Sequence, residues 1–389
     1  MKKILLPIVL LFSLVGYSQF ITIDETFTIQ ELVEDILINS PCAETSNYGS
    51  RTGTDFGEGN GIGYFNANGS DFPYQEGIIL SSGYISFAPG PNTTPQSNGT
   101  TNWPGDADLE ANTTATQTNN ASFIQFQFTP LISQISFNFL FTSKEYNQNF
   151  ECTFSDAFAF ILIDLNTGIT QNLAVLPGTS IPIEATNVHP DVPGGCPAIN
   201  EEYFDKYNIL PFNDPNLAAI NFNGQLISLS AQGDVVPGNP YTIKLVIADE
   251  TDAALDSAVF LEGGSFSIGV DLGDDLTIGA GNAPCDGQPL EISVDPDLSG
   301  QTTYKWFVWN VVTMVFDELV GEVSNVLVVT QSGTYQIETT FSGGCTATDD
   351  VIIEFAPQPI AILPDDLTIC DEIPNDGFAE FDLTLRDAQ

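Results

Sequence analysis

Carboxylates are the reactive side chains this sequence offers most densely. Asp106, Asp108 and Glu110 alternate in GDADLE, and Asp249, Glu250, Asp252 and Asp256 crowd a second short stretch. Oxygen donors packed this closely suit a hard cation, and calcium takes about six to eight of them from carboxylates and carbonyls. The spacing Asp106-x-Asp108-x-Glu110 matches the start of an EF-hand loop. Ala111, however, stands where that loop needs glycine. The candidate metal ligands are therefore Asp106, Asp108, Glu110, Asp249, Asp252 and Asp256, with calcium as the ion. Ordinary Asx turns and solvated acids account for the same residues without one.

Two further chemistries draw on the same pool. Glu145, Glu151, Asp156 and Asp164 could supply the carboxylate pair of an acidic glycoside hydrolase. Acids are so common here that any one pair says little. Trp103 and Tyr146 are candidates for stacking on sugar rings, as in a lectin-like module, although packing in a core is the commoner fate of such rings. Nucleophilic catalysis has less to work with: there is no G-x-S-x-G elbow, and His189 is the single histidine. In its loop, NVHPDVPGG, it reads as a hydrogen-bonding residue. Gly57, Gly59, Gly61 and Gly63 break the G-x-G-x-x-G register and have Asp55 and Glu58 beside them, so they suit tight turns or close backbone approach, and not phosphate.

Composition narrows the partners. The 389 residues carry 8 Lys+Arg against 51 Asp+Glu, a formal charge of -43. Such a field repels nucleic acid and anionic lipid and attracts cations. With 42% hydrophobic residues and 28 Phe, the chain can fill more than one core. Residues 1–18 read as an export signal: Lys2 and Lys3, the apolar run Ile4 to Val15, then Gly16-Tyr17-Ser18. That run is short for a membrane span, so no membrane insertion is expected once it is removed. Secretion or display at the outer cell surface follows. Export also makes the cysteines disulfide formers, and the expected pairs are Cys152 with Cys196 and Cys285 with Cys345.

The elements that must position these groups are mostly strands. Phe137, Phe139 and Phe141 alternate with Ser136, Asn138 and Leu140, which sets three rings on one sheet face. Ala157 to Ile163 is apolar at every position, as suits a central strand covered on both faces. Two such neighbours need a second layer, so a sandwich core passes through Ser136–Asp164. One short helix is expected within 24–39, capped by Thr28 or Thr26. Further strands are expected at 77–82, 122–128, 173–176, 219–229, 241–248, 257–262 and 265–270. The Thr- and Asn-rich connection from Ala88 to Asn120 is long enough to be a functional loop.

A boundary is expected near 269. DDLTI occurs at Asp274–Ile278 and again at Asp365–Ile369, roughly 90 residues apart, close to the size of one immunoglobulin-like sandwich. Trp306, on an alternating run between Cys285 and Cys345, reads as the core of that unit. The organisation is then a signal peptide at 1–18, a large jelly-roll-like β-sandwich at 19–269, an immunoglobulin-like or PKD-like domain at 270–359, and the start of a further repeat at 360–389. The fold class is all-β.

Several runs in the first domain resemble the choice-of-anchor L domain of exported Bacteroidetes surface proteins. They include NGIGYFNANGSDFPYQEGIILSSG (60–83), GDADLE (105–110), CTFSDAFAFIL (152–162), NLAVLPGTSIPIEATNVHP (172–190), CPAINEEYF (196–204), AINFNGQ (219–225) and IADETDAALDSAVFLEGGSF (247–266). The resemblance implies a β-rich extracellular domain near the start of a long protein, followed by immunoglobulin-like or PKD-like repeats. It also implies a C-terminal sorting domain for anchoring or type IX secretion, which this sequence does not display. Lys144, in SKEY, stands where an acidic residue is expected of the family. The expectation is a non-catalytic adhesion or display module stiffened by calcium, whose partner is an extracellular glycan or protein surface. Carbohydrate binding is the alternative, and acidic hydrolysis the remote one.

Overall fold

The computed structural model describes residues 20–38, 44–131, 133–267, 270, 272–294, 302–341 and 344–357. The signal segment, Cys42, Cys370 and the second DDLTI lie outside them. The described residues of Met1–Asp271, Asp295–Thr303 and Glu338–Thr348 form one compact unit, and those of Leu272–Val294, Tyr304–Ile337 and Asp349–Gln389 another.

Two antiparallel sheets build the first unit. Its strands are β1 (Thr22–Asp24), β2 (Glu44–Arg51), β3 (Ile62–Asn66), β4 (Glu76–Ser81), β5 (Thr118–Thr129), β6 (Gln134–Ser143) and β7 (Ala157–Asp164). They continue with β8 (Thr170–Asn172), β9 (Phe204–Tyr207), β10 (Gly224–Leu226), β11 (Leu229–Asp234), β12 (Tyr241–Glu250) and β13 (Ser257–Glu262). One sheet runs β1-β3-β4-β13-β6-β10-β9, with β11 also paired to β6; the other runs β2-β5-β12-β7-β8.

The sequence periods explain the layers. Phe137, Phe139 and Phe141 of β6 point between the sheets and meet Phe158 and Phe160 of β7, with ring centroids 4.9 to 5.9 Å apart. In β7 the even positions Phe158, Phe160 and Leu162 join this central core. The odd positions Ala157, Ala159 and Ile161 face a second cluster on the outer side, closed by Leu109 of helix α2 (Ala107–Asn112). That is why β7 is apolar throughout. The outer face of the first sheet has its own cover, in which Leu140 and Phe260 pack with Phe65, Phe72 and Phe222. This is a β-sandwich with apolar layers on both outsides as well as within.

The expected helix is present but changes character. Thr28 caps α1 (Ile29–Glu31) through a capping box with Glu31, and the chain continues from Leu32 to Ile38 as a π-helix. Its Leu32, Val33 and Leu37 join the central core. The strand expected at 173–176 is replaced by β8 just before it and an isolated bridge from Val175 to Pro182. The run 265–270 contributes only a bridge from Ser267 to Ser136. The span 219–229 holds β10 and the start of β11.

The glycine row behaves as backbone. Gly57 takes φ 79°, and a Cβ on Gly61 would stand 2.1 Å from the Ser122 hydroxyl and 2.6 Å from Ser81 O.

The later strands, which fall mostly in the second unit, are β14 (Leu290–Ser293), β15 (Thr303–Asn310), β16 (Val315–Glu318), β17 (Val326–Val329), β18 (Gly333–Thr340) and β19 (Thr346–Ile353). They pair as β14-β17 and as β16-β15-β18-β19. Trp306 is fully buried among them, and its indole N–H donates to Ser324 O at 2.8 Å.

The expected Cys285–Cys345 bridge is not formed. Cys285 is an exposed free thiol, held beside Ala356 by a backbone bridge, whereas Cys345 is disulfide-bonded at the start of β19. With Cys345 bonded elsewhere, Cys285 is left as a thiol. The order Cys–Trp–Cys was present, but it carried no register.

Candidate functional site

The first unit treats its acids in two opposite ways. At GDADLE the chain supplies its own cations. Asp106 is the N-cap of α2, accepting from the N–H of Asp108 and Leu109, and it is almost fully buried. Lys244, in the middle of β12, donates to both Asp106 oxygens at 2.7 and 2.8 Å and to Asp108 at 2.6 Å. Arg51 reaches Asp106 at 3.2 Å, and both basic groups lie over the Phe123 ring. Glu110 accepts instead from the N–H and hydroxyl of Thr118. The expected calcium position at Asp106, Asp108 and Glu110 is therefore corrected: an ammonium and a guanidinium already occupy the first two, and Thr118 takes the third.

The expected stacking residues are corrected as well. Trp103 is buried with its indole N–H on Ala121 O, and Tyr146 is buried with its hydroxyl on Val188 O. Neither presents a ring face to solvent. His189 bonds Pro190 O within its loop, near the Cys196 sulfur. Cys196 is bridged to Cys152 across a sequence separation of 44.

At one end of the sandwich the acids lack such partners. The Ser143–Ser257 pair ends the contact of β6 with β13, and the Ala157–Ala248 pair ends that of β7 with β12. The chain leaves β6 through Lys144 and Glu145, enters β7 from Asp156, runs off β12 through Asp249, and enters β13 from Asp256. By strand alternation Glu145 and Ser257 share the inward face with Phe141 and Val259. Asp156 and Asp249 share it with Phe158 and Ile247. Three carboxyls and a hydroxyl thus collect at the closed end of an apolar core, all of them buried, with the Asp256 carboxyl beside them.

Their environments differ. Asp256 is held by Asn98, whose main-chain N–H and side-chain amide donate to it at 2.9 to 3.1 Å. Gly83 makes room, since a Cβ there would stand 1.8 Å from Asp256 Oδ2. Glu145 accepts from the Asp156 N–H at 3.0 Å. Asp249 accepts nothing at either oxygen, and Asp156 Oδ2 and the Ser257 hydroxyl are equally without a partner. Ser82 and Ser257 stand close enough to Asp249 and Asp156, respectively, to draw their pKa values down a little, although neither hydroxyl reaches them with hydrogen-bond geometry.

Burial dominates the acidities. It pushes Glu145 up to about 8 against the help of the Asp156 N–H, with Asp252, Glu250 and Glu151 repelling it further. Asp156 and Asp249 are raised well above the carboxylate range by burial, then by Glu145 and Asp256 respectively. Asp256 reaches about 6, restrained by Asn98 and Lys144.

Lys144 is the nearest basic group, but it is committed elsewhere. By alternation it lies on the other face of β6. Its ammonium donates to Asn92 Oδ1, to Thr94 O at 2.8 Å and to Asn221 Oδ1 at 2.9 Å. Burial draws its pKa down to about 8. Asp252, grouped by sequence with Asp249 and Asp256, is exposed and spends an oxygen on Ala254 N–H. Among the described residues no three His, Cys, Asp or Glu side chains stand together as a ready metal site.

The carboxylates considered for hydrolysis do not share one exposed surface. Glu145, Glu151 and Asp156 are buried, and Tyr207 donates to Glu151 at 3.1 Å. Asp164 lies at the opposite end of β7, accepting from Asn166 and Thr167 in a turn.

The family sequence model described as Choice-of-anchor L domain matches residues 21–267. No curated protein matches. Among solved structures, a beta-1,2-glucanase from Parabacteroides distasonis is similar at 7% identity and a TM-score of 0.22, with 82% of this chain and 37% of that chain covered. This chain thus spans little more than a third of that enzyme's length. A score so low carries no argument about fold or activity.

Proposed function

The chain belongs to the choice-of-anchor L domain family through residues 21–267, and from that premise we propose that it is a non-catalytic module displayed at the outer surface of its cell. One observation carries the reading. The carboxyls and rings that could have lined a reactive or sugar-binding cleft, namely Glu145, Glu151, Asp156, Trp103 and Tyr146, are all buried. What meets solvent is an acidic, Asn- and Thr-rich surface that repels nucleic acid and anionic lipid. Adhesion would use one group of the exposed apolar residues, Phe87, Leu210, Phe212 and Leu217. These sit on two loops joined by Asn92, whose side-chain amide donates to Asn208 O and whose main-chain N–H donates to Pro215 O. Their partner would be an extracellular protein or glycan. Export by a type IX route, and an immunoglobulin-like repeat in the second unit, belong to the same reading.

Whole-cell labelling tests it. Antibody raised against the first unit should stain intact producing cells, and protease added outside should remove the signal. Staining only after permeabilisation would overturn display. Turnover of a polysaccharide by the purified chain, lost in Glu145→Gln, would overturn the non-catalytic part.

A further inference from the structure

We propose that Asp249, Asp156, Glu145 and the Ser257 hydroxyl form a calcium site between the two sheets, at the end of the sandwich where β6, β7, β12 and β13 begin or finish. The first ground is the Asp249 carboxylate, fully buried with both oxygens unpartnered, directed by strand alternation into the same space as the unpartnered Asp156 Oδ2 and Ser257 Oγ. Buried polar groups are almost always satisfied, and a run of orphaned oxygens at one place calls for a shared partner. The second ground is the contrast inside the same unit. Asp106 is buried to a similar degree and is met by Lys244 and Arg51. Asp249 meets neither, and the neighbouring Lys144 is saturated by Asn92, Thr94 and Asn221.

The donor set selects the ion. It is all oxygen, which excludes a zinc preference for nitrogen and sulfur. It is closed to solvent, which disfavours magnesium, an ion that keeps several of its waters. Calcium accepts six to eight oxygens in flexible geometry, roughly at 2.3–2.6 Å. The carboxylates do not already stand at ligand spacing as a threesome. Rotation of Glu145 and main-chain oxygens at the strand ends would complete the shell. The proposal does not depend on display or adhesion.

The test is calorimetric unfolding of the full chain at pH 8 in EDTA, in calcium and in magnesium, with equilibrium dialysis against radioactive calcium. At a hundredfold excess over Kd, calcium should raise the midpoint of the first unit by about 5 °C or more, through preferential binding to the folded state. Magnesium should do much less. One calcium per chain should bind to the wild type and to Asp252→Asn, and none to Asp249→Asn or Asp156→Asn. Ser257→Ala, which keeps the fold, should weaken binding about tenfold, the effect of one lost ligand. Absence of bound calcium in the wild type would overturn the site. So would a calcium-dependent rise that survives Asp249→Asn. A gain in midpoint for Asp249→Asn with no bound ion in the wild type would mean that protons alone satisfy the cluster, and would equally overturn it.

Discussion

Lys244→Met isolates the role of the chain's internal cations. The Lys244 and Asp106 side chains are only 6% and 5% exposed, and their atoms stand 2.7 Å apart. Removing the ammonium leaves a buried carboxylate, and breaking one side of such a pair costs roughly 3–5 kcal/mol. Arg51 remains at 3.2 Å and keeps Asp106 partly neutralised, so the lower figure, about 3 kcal/mol, is expected. Asp108 adds little, because its side chain is 67% exposed and its contact is screened by water. For a unit of this size the melting point should fall by roughly 6–12 °C. The decisive comparison is Asp106→Asn. Asparagine caps a helix about as well as aspartate, so α2 keeps its N-cap while the charge is gone. Lys244→Met in that background should cost only about 1 kcal/mol, leaving a coupling of roughly 2 kcal/mol in a double-mutant cycle. Urea unfolding of the four proteins measures it. A coupling under about 0.5 kcal/mol would refute the view that Lys244 is there to neutralise Asp106.

Three other outcomes follow from the same structure. Replacing Cys152 and Cys196 by alanine should destabilise the chain by about 4 kcal/mol on the loop-entropy estimate for a separation of 44; an unchanged unfolding midpoint would contradict it. Trp103→Ala should cost about 3–5 kcal/mol and leave glycan-array binding untouched, whereas a lost glycan signal in folded protein would restore the stacking role. In calcium-free buffer, stability should fall as pH rises from about 4.5 to about 8. Folded Glu145 keeps its proton up to about 8, while the unfolded residue releases it at its ordinary value of 4.5. The folded state thus binds more protons across that window, and its advantage is lost through it. Glu145→Gln should flatten the slope by up to one proton, and an unaltered slope in a urea series would count against the assignment.

The class of the fold was legible because it rests on local period. Three alternating phenylalanines and one seven-residue apolar run were enough to require two sheets and a covered outer face. The first unit's missed strands include β3, IGYFN, which lay beside the glycine row read as turns, and four others: β1, β2, β8 and β9 read TID, ETSNYGSR, TQN and FDKY. These four carry little apolar alternation and are set by backbone pairing at or near sheet edges, which composition does not encode. The long connection after Ala88 looked like an open functional loop. It is instead fixed by partners far away in sequence: Asn92 and Thr94 on Lys144, Asn98 on Asp256, and Trp103 in the core. Local spacing holds no information about such partners.

One signal was nevertheless readable. In YTIKLVIADE, Lys244 interrupts an otherwise buried strand, and a charge in that position demands an opposite charge. GDADLE was the acidic segment available to answer it, so its acids were better read as that lysine's partner than as a calcium loop. The same rule applied to the end of that strand gives the opposite result. Asp249 is as deeply placed as Lys244, yet among the described residues no basic side chain answers it. A carboxylate in that position must be neutralised by something the sequence does not itself encode, either a proton or an ion. Asp249→Asn distinguishes them, because an amide removes the need for the proton and destroys the site for the ion.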